Sequence, residues 1–433
     1  MSCVTAASTT VRLIESRVDD RRRTVGASRL ERSTYGRWLH TLPWLVLALS
    51  FARGAGEGTT PARSSTGGTL SAAVQAVPAV STGFDHACTL SEAGAVVCWG
   101  RNDRGQLGDG RDSTRATPDA AAVLDPRFRG ISAGHRRTCG IRRDGGALCW
   151  GDNLFGAVGD GTEISRSRPT PVTGGEAFVS ISTGTHHTCA LTEAGRAYCW
   201  GANVAGEVGD GTTTGRSVPV AVDTERTFQA VSAGLDHTCA LSDGRAYCWG
   251  SNEHGELGDG GHTFRSRPEP VTGDLRFSFI EAGHNRTCGS AGDGSAHCWG
   301  ANVHGGLGDG GEEERSVPTR VAMDGSLASV SVGNLHACGI AGGGDVLCWG
   351  FNAFGQLGTG TLESRSEPTV VVGGHTFVGV SAGGYMTCGV TAQGQVLCWG
   401  RDPTGPLAGS EVRRRLAPSP PRAVGDTTGA RGG

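Results

Sequence analysis

Apolar residues in this chain fall in runs of about five or six, separated by clusters of glycine, asparagine and aspartate. The pattern is written seven times. Its clearest copy lies between Val231 and Pro270. Phe228–Gly234 reads as a first strand with small residues where strands crowd, His237–Leu241 as a second and Arg245–Trp249 as a third. A loop follows from Gly250 to Gly260, and Pro268–Val271 reads as a short fourth strand, a proline suiting a strand start or an edge. The Cys-Trp-Gly at the centre recurs with Trp at 99, 150, 200, 249, 299, 349 and 399, at gaps of 51, 50, 49, 50, 50 and 50 residues. Four strands per repeat and seven repeats of this period predict an all-β, seven-bladed β-propeller of four-stranded antiparallel blades over residues 73–424.

Cysteine spacing sharpens that picture. Fourteen of the fifteen cysteines pair within the repeats, and only Cys3 is left over. The pairs are Cys88 with Cys98, Cys139 with Cys149, Cys189 with Cys199, Cys239 with Cys248, Cys288 with Cys298, Cys338 with Cys348, and Cys388 with Cys398. In the third repeat the intervening turn is Thr192-Glu193-Ala194-Gly195, which suits a three-residue hairpin loop and sets Cys189 opposite Cys199. The fourth repeat is one residue shorter and turns on Asp243-Gly244, which sets Cys239 opposite Cys248. Loop length changes and register survives, so each pair is read as a disulfide between neighbouring antiparallel strands, locking its own blade. Zinc is the competing reading, but a nine-residue gap does not bring four ligands together. No cofactor is expected.

Composition sets limits. The chain has 433 residues, 73 of them glycine, and its 39 basic residues are all arginine. The net charge of −3 offers no global basic field for nucleic acid. Residues 11–37 carry eight arginines, then Leu42–Leu49 is apolar and Ser50-Phe51-Ala52 has the small-x-small form of a cleavage site. Residues 1–52 are read as an export segment, with Val25 an alternative start; a buried helix or uncleaved anchor is the competing reading. The run is short for a membrane span of about 20 residues, so none is expected after processing. Residues 53–72 read as a flexible linker and 425–433 as a disordered tail. Paired cysteines agree with an oxidising compartment, so a secreted, periplasmic or cell-surface location of bacterial type is expected.

The motif Trp-Gly-x-Asn-x-x-Gly-x-Leu-Gly-x-Gly, preceded by Ala-Gly-x-x-His-x-Cys-x-Leu, resembles the regulator of chromosome condensation repeat. The likeness covers seven repeats, about four-fifths of the chain, and implies a seven-bladed propeller closed by joining its ends. The last repeat departs from it over Arg401–Ser410, keeping Gly405 and Leu407 but losing the Asn and two glycines, and the closing segment Pro418–Val424 is proline-heavy. Light-sensing members carry Trp in Gly-Trp-Arg-His-Thr; Gly234-Leu235-Asp236-His237-Thr238 here does not.

The repeated residues read as structure first: each Cys-Trp-Gly Trp as core, and His86, His187, His237 and His336 as hydrogen-bonding strand residues. Arg137, Arg286 and Met386 replace that His elsewhere, which argues against a ring of ligands or bases. Asp109/Arg115, Asp160/Arg166, Asp210/Arg216, Asp259/Arg265 and Asp309/Arg315 read as loop staples or, alternatively, as calcium carboxylates, though one carboxylate per loop is thin for that shell.

Function is then expected where repeats differ. The turns between first and second strands and the loops between third and fourth share one face. Its candidate binding residues are Phe84, Asp85, Arg104, His135, Arg136, Phe155, His186, Asp236, His254, His284, Asn285, His304, Leu335, Phe354 and Tyr385. Ordinary surface variation is the competing reading. A monomeric, non-enzymatic protein-binding scaffold is expected; the resemblance also covers secreted bacterial inhibitors of β-lactamase. The alternative it implies is guanine-nucleotide exchange on a small GTPase, a cytosolic or nuclear activity. A hydrolase or lyase lacks a convergent carboxylate pair or activated nucleophile.

Overall fold

The computed structural model describes residues 79–114, 127–402 and 414–421. The readings for residues 1–52, 53–72 and 425–433, for Cys3 and Arg115, and for Gly405 and Leu407 lie outside the described residues. Seven antiparallel sheets follow one another in chain order. Six are four-stranded and the first has three described strands, Ala79–Thr82, His86–Leu90 and Val96–Gly100. The expected all-β propeller is what forms.

The fourth blade shows how local chemistry builds each unit. Its strands are Ala230–Ala233, His237–Ser242, Arg245–Gly250 and Arg265–Pro270. Asp243 (φ 49°) and Gly244 (φ 75°) make the two-residue hairpin turn whose twist matches the flanking strands. In the longer third-blade turn Gly195 takes φ 76° and donates its N–H to the Thr192 carbonyl at 2.9 Å. Both turns set the cysteines face to face, Cys189 on Cys199 and Cys239 on Cys248. The same register recurs in the other blades, where Cys88 faces Cys98, Cys139 faces Cys149 and Cys288 faces Cys298. Cys338 likewise faces Cys348, and Cys388 faces Cys398. All seven expected disulfides are present, each with Cα atoms 4.1 Å apart. The fourth strand corrects the sequence reading: it starts at Arg265, not Pro268. A bulge between Cys248 and Gly250 restores pairing at Gly250–Arg265, ahead of the proline.

The blades are fastened to each other by side chains that recur once per repeat. The Cys-Trp-Gly tryptophans are at most 2% exposed. Trp150, Trp200 and Trp249 donate their indole N–H to the carbonyls of Gln106, Ala157 and Glu207 in the preceding blade, at 2.9, 3.0 and 2.9 Å. Thr138, Thr188 and Thr238 donate to the same three carbonyls. A hydroxyl that has given its proton away can only accept from the repeated histidine. His86, His187, His237 and His336 therefore place an Nε2–H on Thr138, Thr238, Thr287 and Thr387, at 2.7 to 3.0 Å. Their Nδ1 atoms are buried without a partner, so the rings are neutral. The histidines are strand residues, as read, and they are also bolts between blades.

The first strands ring an axial channel of about 500 Å³. Two closed rings hold it. In one, the backbone N–H of Ala133, Thr183, Ala233, Ala282, Ala382 and Thr82 reaches the hydroxyl of Ser81, Ser132, Ser182, Ser232, Ser331 and Ser381 at 2.9 to 3.0 Å, while Val332 reaches Glu281 instead. In the other, glycines at the strand ends abut the next blade. A Cβ on Gly383 would overlap the carbonyl oxygen of Gly83, which joins the last blade to the first. Trp99 packs there against Met386, Cys388 and Cys398. The ends are joined by this packing; each described sheet is built from consecutive strands. The seventh blade closes with Arg414–Ser419, earlier than the proline-rich segment expected.

Gly383→Ala should cost about 3 kcal/mol, because the nearest obstructing atom is the backbone carbonyl oxygen of Gly83, which cannot rotate away. Gly379→Ala, with nothing within 4 Å, should leave stability nearly unchanged. Urea midpoints of the two variants, compared with the parent chain, test this contrast.

Candidate functional site

The short turns after the first strands and the longer loops after the third strands meet on one face. The contacts run from one set to the other. Phe155 of the second blade stands on His186 of the third at 5.2 Å, and Phe354 of the sixth on Tyr385 of the seventh at 5.0 Å. Local turns hold these rings in place. In the loop after the sixth Trp-Gly, Asn352 is buried; its amide donates to the Thr361 and Glu363 carbonyls, and its oxygen accepts the Leu357 N–H. The other described loops use Asn102, Asn153, Asn203, Asn252 and Asn302 in equivalent places.

The aromatic residues form a continuous arc across the ring seam. Centroid distances run from His304 to Phe351 at 4.8 Å, Phe351 to Phe354 at 6.0 Å, and Phe354 to Tyr385 at 5.0 Å. Tyr385 lies 5.3 Å from Phe84, and Phe84 4.5 Å from His135. Five consecutive blades, the fifth through the seventh and then the first two, contribute to it. Arg401 sits over both Phe354 and Tyr385, at 5.9 and 5.8 Å, and Arg414 over Phe354 at 5.8 Å, distances at which a guanidinium is attracted to a ring face.

The remaining candidates divide by environment. His186 and Asp236 pair across blades at 3.1 Å. Burial would raise the Asp236 carboxyl, but the His186 hydrogen bond and charge outweigh it and leave the group below its usual range. Burial lowers His135 to about 3 and His284 to about 4, helped by the adjoining Arg136 and Arg286, so both rings stay neutral. His254 bonds Glu314 across blades at 2.6 Å. Asn285 and Leu335 are half-buried, and their carbonyls accept Ala301 and Phe351 N–H groups. Arg104 is exposed and Arg136 half-buried.

Asp85 is a correction. It is only 7% exposed and is held by Arg101 at 3.4 Å and Arg401 at 3.7 Å, an anchor beneath the face. Three residues were missed in sequence: Arg101, Phe351 and Arg401. All follow Trp-Gly directly, where the repeats read Arg, Asp, Ala, Ser, Ala, Phe and Arg. That variation beside a fixed dipeptide was the available signal. Pro403 and Thr404 lie outside the described residues.

Four of the aspartate–arginine pairs act as loop staples. Arg166, Arg216, Arg265 and Arg315 reach Asp160, Asp210, Asp259 and Asp309 at 2.6 to 2.8 Å. Among the described residues no group of three His, Cys, Asp or Glu converges as a metal site. No described helix is long and apolar enough to cross a membrane. Asp259→Ala should cost about 1 kcal/mol or less, as for an ion pair near the surface. Added calcium should leave the thermal midpoint of the parent chain in place; a rise abolished by Asp259→Ala would establish the calcium reading instead.

Residues 56–289 match the model of the RCC1-like domain, and residues 293–340 and 343–390 match the regulator of chromosome condensation (RCC1) repeat. The chain is similar to the "Probable E3 ubiquitin-protein ligase HERC4" of Homo sapiens, 35% identical over 92 residues, which is 21% of this chain and 9% of that protein. It is 32% identical to the ultraviolet-B receptor UVR8 of Arabidopsis thaliana over 100 residues, 22% of this chain and 23% of the receptor. It is 33% identical to the secretion-regulating guanine nucleotide exchange factor of Mus musculus over 113 residues, 22% of this chain and 24% of that factor. These matches thus span a quarter or less of each relative. Among solved structures, yeast RCC1 (Prp20) bound to Kap60 superposes with a TM-score of 0.69 at 19% identity, covering 87% of this chain and 92% of that one. Human WBSCR16 gives 0.64 at 22% identity, covering 70% and 83%. At such identities the superpositions establish the fold alone.

Proposed function

The chain belongs to the RCC1 repeat family of propellers, and from that premise we propose that it is an exported, non-enzymatic scaffold that binds a protein partner through the aromatic arc of its loop face. Inhibition of an extracellular enzyme is one concrete form of this role. The arc from His304 to His135 carries the reading. Aromatic and arginine side chains dominate interface energetics, and these are fixed by neighbouring rings and so lose little freedom on binding. Seven disulfides support an oxidising compartment, where such bonds persist.

Tyr385→Ala and Phe354→Ala should each weaken the complex with an identified partner by about ten- to thirtyfold, with the thermal midpoint little changed. Titration calorimetry against a partner purified from culture medium reads this, and unchanged affinity in both variants would remove the arc from the interface. Export is read by intact mass. The expected product starts near Arg53 with fourteen oxidised cysteines; an uncleaved chain with free thiols would overturn the extracellular assignment.

A second reading follows from the likeness to the mouse exchange factor. The chain would then accelerate nucleotide release from a Ran-type GTPase. Fluorescent-nucleotide release measured with and without the chain separates the two roles.

A further inference from the structure

The ring of hydrogen bonds around the axial channel has one irregular member. Six blades use serine, and a serine hydroxyl suffices to accept the next blade's N–H. The fifth blade places Glu281 there, whose Oε1 accepts both the Val332 N–H at 3.0 Å and the Ser331 hydroxyl at 3.1 Å. No described residue donates to Oε2. Glu281 is the sole acid among the described residues lining the channel, and that lining includes no arginine. The ring therefore carries a carboxyl group that its own geometry does not require; burial raises it to about 7, so above that pH it is a carboxylate with no cation of the described lining to balance it.

The surroundings favour a visitor of opposite charge. Small residues line the wall, and the Ser180 hydroxyl there is buried without a hydrogen-bond partner. The mouth on the loop face is bordered by Phe84, His135 and His284. Both imidazoles are neutral, so they offer ring faces and acceptor nitrogens and do not repel a cation. The volume of about 500 Å³ lies within the range of small-molecule sites.

We propose that the axial channel is a binding site for an organic cation, an ammonium or guanidinium group on a slender unbranched chain, held by Glu281 through Oε2. This goes beyond the scaffold reading and does not depend on it. The same chemistry is carried by a free amine and by a lysine or arginine side chain.

The test uses the oxidised full-length chain above pH 7, with n-butylguanidinium and n-butylammonium chloride as probes and n-butanol as the neutral control. Titration calorimetry should show saturable binding of the cations and none of the alcohol. Glu281→Ser restores the residue used by the other six blades, so the fold should survive with an unchanged or raised thermal midpoint. Binding should fall about tenfold or more in Glu281→Ser and in Glu281→Gln, as expected when a charge-assisted hydrogen bond is lost. A capped Gly-Gly-Arg-Gly-Gly peptide tells the sources apart. Binding comparable with n-butylguanidinium assigns the channel to a partner's side chain, and binding of the small cations alone assigns it to a free amine. No saturable binding, or equal affinity in Glu281→Ser, overturns the proposal. No partner protein is present in this assay, so its failure leaves the arc of the loop face as it stands.

Discussion

Reduction of all seven disulfides should unfold the propeller. Each bridge, from Cys88–Cys98 in the first blade to Cys388–Cys398 in the last, closes a separation of only nine or ten residues, worth about 2.5 kcal/mol on the chain-entropy account. Seven together amount to on the order of 15 to 20 kcal/mol, more than the 5–15 kcal/mol typical of a folded chain. The sulfurs are also out of reach, since thirteen of the fourteen cysteines are fully buried and Cys398 is 6% exposed. Cys239 Sγ lies 3.6 Å from the Thr287 hydroxyl of the next blade, and Cys189 stands in the same relation to Thr238 at 3.8 Å. A dithiol added under native conditions should therefore leave the bonds intact for as long as the blades stay packed. Moderate urea should make reduction follow global opening, and the fourteen-thiol product should not refold. Alkylation with intact-mass analysis counts the thiols while circular dichroism follows the strands. A fully alkylated chain with native circular dichroism would refute the account. Removing one bridge alone, as in Cys239→Ala with Cys248→Ala, should cost about 2.5 kcal/mol and leave the fold.

The pairing of those cysteines was legible because hairpins are local. The turn Asp243-Gly244 and the glycine at 195 set register over a few residues, and register decides which side chains face each other. The buried tryptophans and the repeated histidines could likewise be assigned to structure from their recurrence. Contacts between blades were less visible. They join residues some 40 to 50 apart, or 300 apart where the last blade meets the first, and a repeat says which positions are equivalent without saying how close neighbouring copies stand. The glycine seam from Gly83 to Gly383 and the bond from Trp249 to the Glu207 carbonyl are of this kind. The loop face was legible in outline, since Phe84, His135, His304, Phe354 and Tyr385 do come together. Asp85 was misplaced because variation marks a surface loop and an ion-paired anchor alike. Arg101, Phe351 and Arg401 were missed because they lie beside a fixed Trp-Gly, where the third strand was expected to be ending.

Acid should destabilise this fold steeply between pH 6 and 5, and the buried histidines are the cause. Burial lowers His86 to about 4 and His187 and His336 to about 3, and it lowers His237, His135 and His284 as well. In the unfolded chain these rings protonate near 6.5, so unfolding takes up protons as pH falls below that value. Stability is then full above the unfolded pKa and drains away as pH drops toward the folded one. Two carboxyls act in the opposite sense. Burial raises Glu207 and Glu281 to about 7, so the folded state holds protons there that the unfolded chain releases above about 4.5, and acid stabilises these two sites. These six imidazoles, with the half-buried His297 lowered by burial in the same sense, outweigh two carboxyls. Net uptake on unfolding should be about three to four protons, a loss on the order of 4–5 kcal/mol per pH unit. Urea-unfolding free energies measured between pH 7 and pH 5, with the disulfides intact, give this slope directly. His336→Gln keeps an amide donor for the Thr387 hydroxyl but cannot titrate, so it should flatten the slope by about one proton. Glu281→Ser removes an opposing group and should steepen it by about one. A free energy that stays level through this window would mean that the six rings take up protons without leaving their places between the blades.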